Sequence, residues 1–317
     1  MEGSSADLTQ DDDKGQDVTG HTIMADPDPD PDPDPDPDPD PDPDPDARIL
    51  ASLAEQVASG ALRVAAAFGT GTPGEIAISC SCPTPNGRGT TVPTLAIVGA
   101  GPGMGLAIAR TFGSRGFDVA LIARTKDKLR TLVDQLRQEG ITAAAFTADV
   151  LDRPSLTAAL DAVKARFGGI DVLEYSPAPH SPVPGLTLAA PSEATVDDLQ
   201  PQIEYVFYGA VAATHAVLPT MREAGAGTLL FTTGGGSVDP LPMLGNVNAA
   251  GAALRNWVIN LNKELAGSGV HAAHVAINVW IGGGGPEGFP TATPEQIAPL
   301  YWDLHEHRDR PEAVFNA

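Results

Sequence analysis

Short apolar runs alternate with longer amphipathic stretches from residue 94 onward. This pattern predicts strands at 95–99, 118–123, 143–149, 171–175, 228–233 and 274–280. It predicts helices near 103–115, 126–139, 154–167, 195–223, 243–267 and 294–306. Apolar strands that are separated by crossover helices are typical of a parallel sheet covered on both faces. The expected fold class is therefore α/β, a doubly wound parallel sheet of the Rossmann type, over 94–317.

A glycine-rich turn joins the first predicted strand to the first predicted helix, in the stretch TLAIVGAGPGMGLAIARTF at 94–112. Such a turn lets the backbone approach a pyrophosphate, and the following helix supplies free N–H groups and positive potential. Ligands of open α/β sheets bind beside the carboxyl ends of the strands. The predicted contacts of a dinucleotide cofactor in this turn are Gly99, Gly101, Gly103, Met104 and Gly105.

The residues after the second predicted strand, Ala123, Arg124 and Thr125, bear on the choice of cofactor. An acidic residue at position 123 would accept a hydrogen bond from the ribose 2′-hydroxyl of NAD, and that acid is missing. Arg124 can instead pair with the 2′-phosphate of NADP. The alternative is a solvated arginine at a helix start. We expect NADP, with NAD the less favoured cofactor, and Arg124 and Thr125 in its site.

Three further stretches resemble the short-chain dehydrogenase/reductase family, and the resemblance extends over about 94–317. Asp149 and Val150 match the family's adenine-contacting segment. The runs GAVAATHAVLPTMREAGAGTLLF at 209–231 and AALRNWVINLNKELAGSGVHAAHV at 252–275 resemble its long helices and the strands that follow them. The resemblance implies NADP(H) binding, a small-molecule substrate and a homodimer or homotetramer formed through the helices near 195–223 and 243–267.

The catalytic side chains that this resemblance implies are missing. In the family, a tyrosine gives its proton to the carbonyl oxygen and a lysine lowers the tyrosine pKa, while a serine and an asparagine assist. The corresponding positions here are Val206 for asparagine, Gly234 for serine, Val247 for tyrosine and Gly251 for lysine. The usual proton-transfer mechanism therefore cannot operate, and ordinary carbonyl reduction is expected to be weak.

Substitute proton donors are expected at the carboxyl ends of the predicted strands. Tyr175 and His180 follow the fourth strand, and Thr233 ends the fifth. Each is a catalytic candidate, although a structural role is the favoured interpretation of each taken singly. Asn246 and Asn248 could bind a polar group of the substrate. The remaining candidates of this kind, His215, His271 and His274, are interpreted as packing or surface residues.

The first 93 residues carry most of the net charge of −22 but no recognisable chemistry. Residues 1–46 hold 17 of the 41 acidic and one of the 19 basic side chains, mostly as an Asp-Pro repeat. Such a segment cannot bury a core, so 1–46 is predicted to be a disordered acidic leader or tag. Residues 47–93 are predicted to be a linker with one helix.

Composition also excludes several classes of function. The mildly acidic body, with 24 acidic and 18 basic side chains, argues against nucleic-acid binding. No apolar run could span a bilayer, and the N-terminus shows no signal-peptide core, so a cytoplasmic protein without membrane association is expected. Cys80 and Cys82 lack a second ligand pair, which argues against a metal site.

Three functions stay open at this stage. The first is an NADP(H)-binding oxidoreductase with a divergent active site. The second is a non-catalytic nucleotide-binding sensor or oligomer partner. The third is a non-redox enzyme that uses NADP as a structural element. Whether the protein is an enzyme at all is left undecided, because a fold does not determine a function.

Overall fold

Seven parallel strands form the central sheet of the computed structural model, which describes residues 92–178, 183, 185–283 and 288–316. Their order is β3-β2-β1-β4-β5-β6-β9. The strands are β1 (Thr94–Val98), β2 (Asp118–Ala123), β3 (Ala143–Thr147), β4 (Val172–Tyr175), β5 (Gly227–Gly234), β6 (Val270–Ile277) and β9 (Glu312–Phe315). A separate parallel pair joins β7 (Trp280–Ile281) to β8 (Thr291–Ala292). The chain order reverses between β1 and β4, which is where a doubly wound sheet opens its ligand crevice.

Helices cover both faces of this sheet, as the sequence pattern predicts. They are α1 (Met104–Gly113), α2 (Lys126–Gln138), α3 (Arg153–Phe167), α4 (Val196–Gln202), α5 (Gly209–Ala224), α6 (Gly245–Glu264), α7 (Pro294–Ile297) and α8 (Pro299–His307). Side chains of α1, α2, α7 and α8 belong to one buried cluster. Those of α3, α5 and α6 belong to the other. Along β1, Leu95 and Ile97 enter the first cluster and Ala96 and Val98 the second, so every residue of this strand is buried.

The short strands β7 and β8 and the division of the helix predicted at 294–306 were not expected, and two further differences bear on the site. The helix predicted over 195–223 is divided, because a π-helical segment (Ile203–Tyr208) lies between α4 and α5. Pro201 in α4 cannot donate the backbone hydrogen bond of a regular helix, so the helix is already weakened just before the π segment begins. The second difference is β9, which the sequence pattern did not predict and which pairs with β6.

The predictions for the leader at 1–46, the linker to residue 91 and the Cys-x-Cys pair lie outside the described residues. Within the described ranges, no helix is both long and apolar enough to cross a membrane.

Candidate functional site

The glycine-rich turn is fixed between β2 and the segment that follows β4. Gly99 has a φ of +96°, and a Cβ atom built on it would lie 2.6 Å from the backbone nitrogen and Cα of Pro177. The amides of Gly99 and Ala100 both donate to the carbonyl oxygen of Ile122, at 2.9 and 3.1 Å. Only glycine fits this position, because both the φ angle and the close approach exclude a side chain.

Helix α1 begins directly after this turn with its amino end uncompensated. Its N-cap, Gly103, has no side-chain cap, and the first turn of α1 carries no acidic residue. Leu106 and Ala107 donate back to the carbonyl oxygens of Gly101 and Gly103, so the bonded amides begin at Leu106. The amides before them, including those of Met104 and Gly105, face the anion-binding end of the helix dipole. This geometry suits a pyrophosphate.

A cavity of about 530 Å³ lies beside the turn, at the carboxyl ends of β1 and β2. Its lining includes Gly99, Gly101, Arg124, Thr125 and Val150 of the predicted contacts. Gly103, Met104, Gly105 and Asp149 are not lining residues and instead occupy adjoining positions at the start of α1 and after β3. The carboxylate of Asp149 accepts the amide of Leu151 at 3.0 Å, which shapes the turn beside Val150.

Polar residues of α2 that were not predicted also line this cavity. Lys128 lies four residues after Arg124, and the side chains of both are exposed. Thr131 and Gln135 continue the same helix face. Lys128, Thr131 and Gln135 are three and four residues apart, which places them on one side of the helix. A lysine in the first turn of the helix after Arg124 is the signal that could have identified Lys128. Two cations therefore stand at the mouth of the cavity.

Tyr205 closes another side of the cavity from within the π segment. Burial raises the pKa of its hydroxyl, the charge of Arg124 lowers it, and the charge of Asp149 raises it. Tyr205 therefore lies within the fields of two predicted cofactor contacts.

The prediction that Tyr175 is a proton donor is wrong. Its side chain is 0% exposed, and its hydroxyl donates to the backbone carbonyl of Tyr205 at 2.9 Å. Burial raises its pKa well above the ordinary value, so it releases a proton less readily than an exposed tyrosine. The alternation along β4 directs Tyr175 under α5, against Gly209, instead of toward the cleft.

The other two catalytic candidates have different outcomes. His180 lies outside the described residues. Thr233 is partly exposed near the carboxyl end of β5, and its hydroxyl is 2.8 Å from Nε2 of His274. His274 is completely buried, which agrees with the expected packing position, but its contact with Thr233 was not predicted. The role of Thr233 stays a prediction.

Asn246 and Asn248 are both engaged in the fold. The side-chain amide of Asn246 donates to the carbonyls of Thr187 and Asp198, at 2.9 and 3.1 Å. Asn248 donates to the carbonyl of Leu241 at 2.9 Å. These bonds fasten the loops at 187–189 and 241 to α6, so neither amide is directed at a substrate.

A fully buried carboxyl group lies on the face of β4 opposite to that of Tyr175. Glu174 of β4 is 0% exposed and accepts hydrogen bonds from Ser176 at 2.8 Å and Thr232 at 2.9 Å. The Thr232 hydroxyl is also 2.7 Å from that of Tyr301. Burial raises the pKa of Glu174 to about 7. Within the described ranges, no group of three or more histidine, cysteine or acidic residues is arranged to hold a metal.

Comparison with known proteins identifies the family. The family model of the short chain dehydrogenases matches residues 93–280. The chain belongs to this family. Sulfoacetaldehyde reductase 2 of Chromohalobacter salexigens is 31% identical over 173 residues, which are 54% of this chain and 66% of that protein. A short chain dehydrogenase of Pseudocercospora fijiensis is 29% identical over 167 residues, and the match covers 52% of each protein. The chain thus spans about half to two thirds of the length of these relatives.

Solved short chain dehydrogenase structures share this fold. L-sorbose reductase from Gluconobacter frateurii, in complex with NADPH and L-sorbose, superposes with a TM-score of 0.61 at 22% identity. The superposition covers 71% of this chain and 95% of the reductase. The Rossmann-type sheet and the oxidoreductase family that the sequence predicts are therefore confirmed.

Proposed function

We propose that this short chain dehydrogenase is an NADP(H)-binding oxidoreductase with a divergent active site. The observation that carries the proposal is the cavity beside the glycine-rich turn, with Arg124 and Lys128 at its mouth and Ala123 where an acid would favour NAD. The complex of L-sorbose reductase with NADPH supports the same cofactor class.

The residues of this site fit the cofactor. A Cβ atom at Gly99 would meet Pro177, so the turn leaves the backbone bare, as close contact with a pyrophosphate requires. The first amides of α1 would hold the pyrophosphate, Arg124, Thr125 and Lys128 the 2′-phosphate, and Asp149 with Val150 the adenine. NADP(H) would supply or accept a hydride. The residues of this chain orient the cofactor and move the proton that accompanies the hydride.

Replacing Arg124 by alanine should weaken NADPH binding by roughly 10- to 150-fold and leave NADH binding almost unchanged. A charge-assisted hydrogen bond to phosphate contributes about 1.5–3 kcal/mol. NADH has no 2′-phosphate, so its binding does not depend on this hydrogen bond. Fluorescence titration with both cofactors measures the ratio. Arg130→Ala is the matched control, because Arg130 lies on α2, is exposed and does not line the cavity. Equal losses for both cofactors would show that Arg124 does not bind the 2′-phosphate.

We also propose that ordinary ketone reduction is very weak. Valine and glycine replace the tyrosine and the lysine at 247 and 251, and glycine replaces the serine at 234. A Cβ atom at Gly251 would lie 3.3 Å from Cβ of Ser237 and 3.7 Å from Cβ of Thr233. A lysine at this position would therefore begin its side chain in tight contact with Ser237.

Restoring the family residues should not restore the activity. The double variant Val247→Tyr and Gly251→Lys should stay far below about 10 s⁻¹, a typical enzyme rate, with simple ketones and NADPH. The reason is that the lysine Cβ would press against Ser237, and overpacking of this kind usually costs about 1–3 kcal/mol. Initial rates and a thermal melt of the double variant provide the test. A rate near 10 s⁻¹ with an unchanged melting temperature would contradict the argument.

A non-catalytic sensor is the second candidate function, and the loss of all four family side chains favours it. Tight NADPH binding without turnover of any ketone or alcohol would support that candidate. We further propose a homodimer or homotetramer, on the basis of the family resemblance of the helical regions α4–α5 and α6. Tyr208, at the end of the π segment, is an exposed aromatic residue in the first of these regions.

A further inference from the structure

A hydroxyl, an imidazole and a carboxylate are aligned under α6, across the last three strands of the sheet. Oγ1 of Thr233 on β5 is 2.8 Å from Nε2 of His274 on β6. Nδ1 of the same ring is 3.0 Å from Oε1 of Glu312 on β9. The imidazole is 0% exposed, whereas Thr233 is partly exposed at the carboxyl end of its strand.

The charges around this alignment set its hydrogen-bond direction. Arg255 of α6 donates to both carboxylate oxygens of Glu312, with Nη2 at 2.8 Å from Oε2, and these bonds lower the pKa of Glu312. An ionised carboxylate only accepts hydrogen bonds, so the proton of the neutral ring belongs on Nδ1. The lone pair on Nε2 then faces the Thr233 hydroxyl, whose one proton is shared between this nitrogen and Oγ of Ser237, each 2.8 Å from Oγ1. Burial lowers the pKa of His274, although the hydrogen bond and charge of Glu312 act to raise it. The net lowering favours the neutral ring near pH 7.

Thr233 lies beside Gly251, the position that corresponds to the family's lysine. A Cβ atom on Gly251 would lie 3.7 Å from Cβ of Thr233. Ser237 adds a second hydroxyl, 2.8 Å from Oγ1 of Thr233. The network thus lies beside the lysine position of the family, at the same edge of the sheet as the cofactor cavity.

We propose that Thr233 exchanges the proton of the substrate oxygen, and that His274, held by Glu312, is the base behind it. This proposal rests on the proposed oxidoreductase function and names the residues that transfer the proton in that reaction. In alcohol oxidation the substrate O–H bond breaks and its proton passes to Thr233 Oγ1, while the Thr233 proton moves to His274 Nε2. The two electrons leave the alcohol carbon as hydride to an oxidised nicotinamide, the co-reactant. The products are a carbonyl compound and an imidazolium paired with Glu312.

This arrangement favours one direction of reaction. A neutral imidazole accepts a proton and has none on Nε2 to give, so the network serves alcohol oxidation better than ketone reduction. The same property agrees with the weak ketone reduction proposed above. The substrate class is therefore an alcohol whose hydroxyl reaches the carboxyl end of β5.

A second hydroxyl–imidazole pair on β5 provides a matched control. The Thr228 hydroxyl is 2.9 Å from Nδ1 of His305, and Thr228 is fully buried near the amino end of the strand. It lies five residues from Thr233, about 16 Å along the strand. Thr228→Val removes a similar hydrogen bond far from the proposed site.

Nitrogen-15 NMR of the full chain tests the state of His274 without turnover. The His274 signals are assigned by their loss in His274→Gln. We expect the Nδ1–H form, and a shift of Nε2 toward the protonated value when 2,2,2-trifluoroethanol is added with NADP⁺. That shift should disappear in Thr233→Val and persist in Thr228→Val. An Nε2–H form, no response to the alcohol, or the same response in Thr233→Val would overturn the proposal.

Turnover of a panel of secondary alcohols with NADP⁺ provides a second readout. Thr233→Val should lower kcat/KM by about 100-fold or more, the usual contribution of general acid–base catalysis, and Thr233→Ser should retain most of it. His274→Gln should flatten the pH profile. NADP⁺ affinity should be unchanged in all these variants. Failure of the wild-type protein to bind NADP⁺ would refute the proposed function, whereas normal binding with full turnover in Thr233→Val would refute only this inference.

Discussion

Replacing Gly99 by alanine is expected to lower the free energy of unfolding by roughly 3–5 kcal/mol. Two costs add at this residue. A φ of +96° is strained for alanine, and the new methyl group would lie 2.6 Å from the backbone of Pro177. Backbone atoms cannot rotate away as a side chain does, so β1 and the segment after β4 would have to separate. Chemical denaturation followed by circular dichroism measures the loss.

Gly116→Ala is the matched control for this prediction. Gly116 has a similar φ of +89°, but a Cβ atom there would meet nothing within 4 Å. We expect a loss of only about 1–2 kcal/mol, from the backbone conformation alone. A Gly99→Ala protein as stable as Gly116→Ala would show that the contact with Pro177 is not rigid.

The second large effect is a pH dependence of stability that Glu174 introduces. Burial raises its pKa from 4.5 to about 7 in the folded protein. Between these values the folded chain keeps a proton that the unfolded chain has lost, so stability falls as the pH rises through this interval. A shift of this size corresponds to roughly 3 kcal/mol. The contribution of protonated Glu174 to the free energy of unfolding is fully present below pH 4.5 and lost above pH 7.

The variant Glu174→Gln isolates this contribution. A neutral amide keeps hydrogen-bonding capacity toward Ser176 and Thr232 but does not titrate. The variant should match wild type near pH 5 and exceed its stability by up to about 3 kcal/mol at pH 8. Burial lowers the pKa of His305 to about 4, which gives an opposite slope in both proteins. The difference between the two denaturation curves at each pH is therefore the measurement. A difference that does not change with pH would contradict the assignment.

The sequence predicted the sheet well because its signals are local. Six strands and the glycine-rich turn follow from apolar runs and from residues next to one another in the chain. The strand Glu312–Phe315 was missed, because four residues after a charged stretch show no alternation long enough to read. Its existence depends on pairing with β6, whose residue His274 lies opposite Glu312.

The candidate site was predicted only in part, for the same reason. Arg124 and the turn glycines were found, because their chemistry lies in one short segment. Tyr175 failed because position in the chain does not reveal which face of a strand is covered. The partners of Thr233 come from β6 and β9, and only the folded sheet brings them together.

The placement of β9 also has a consequence for synthesis on the ribosome. Strand β6 has its outer edge open until Glu312–Phe315 has emerged and paired with it, 38 residues after His274. Until then the nascent chain exposes an apolar edge that can pair with another chain. A pause in translation after β6 would therefore prolong a state prone to aggregation. Chaperone capture during synthesis should concentrate in that window.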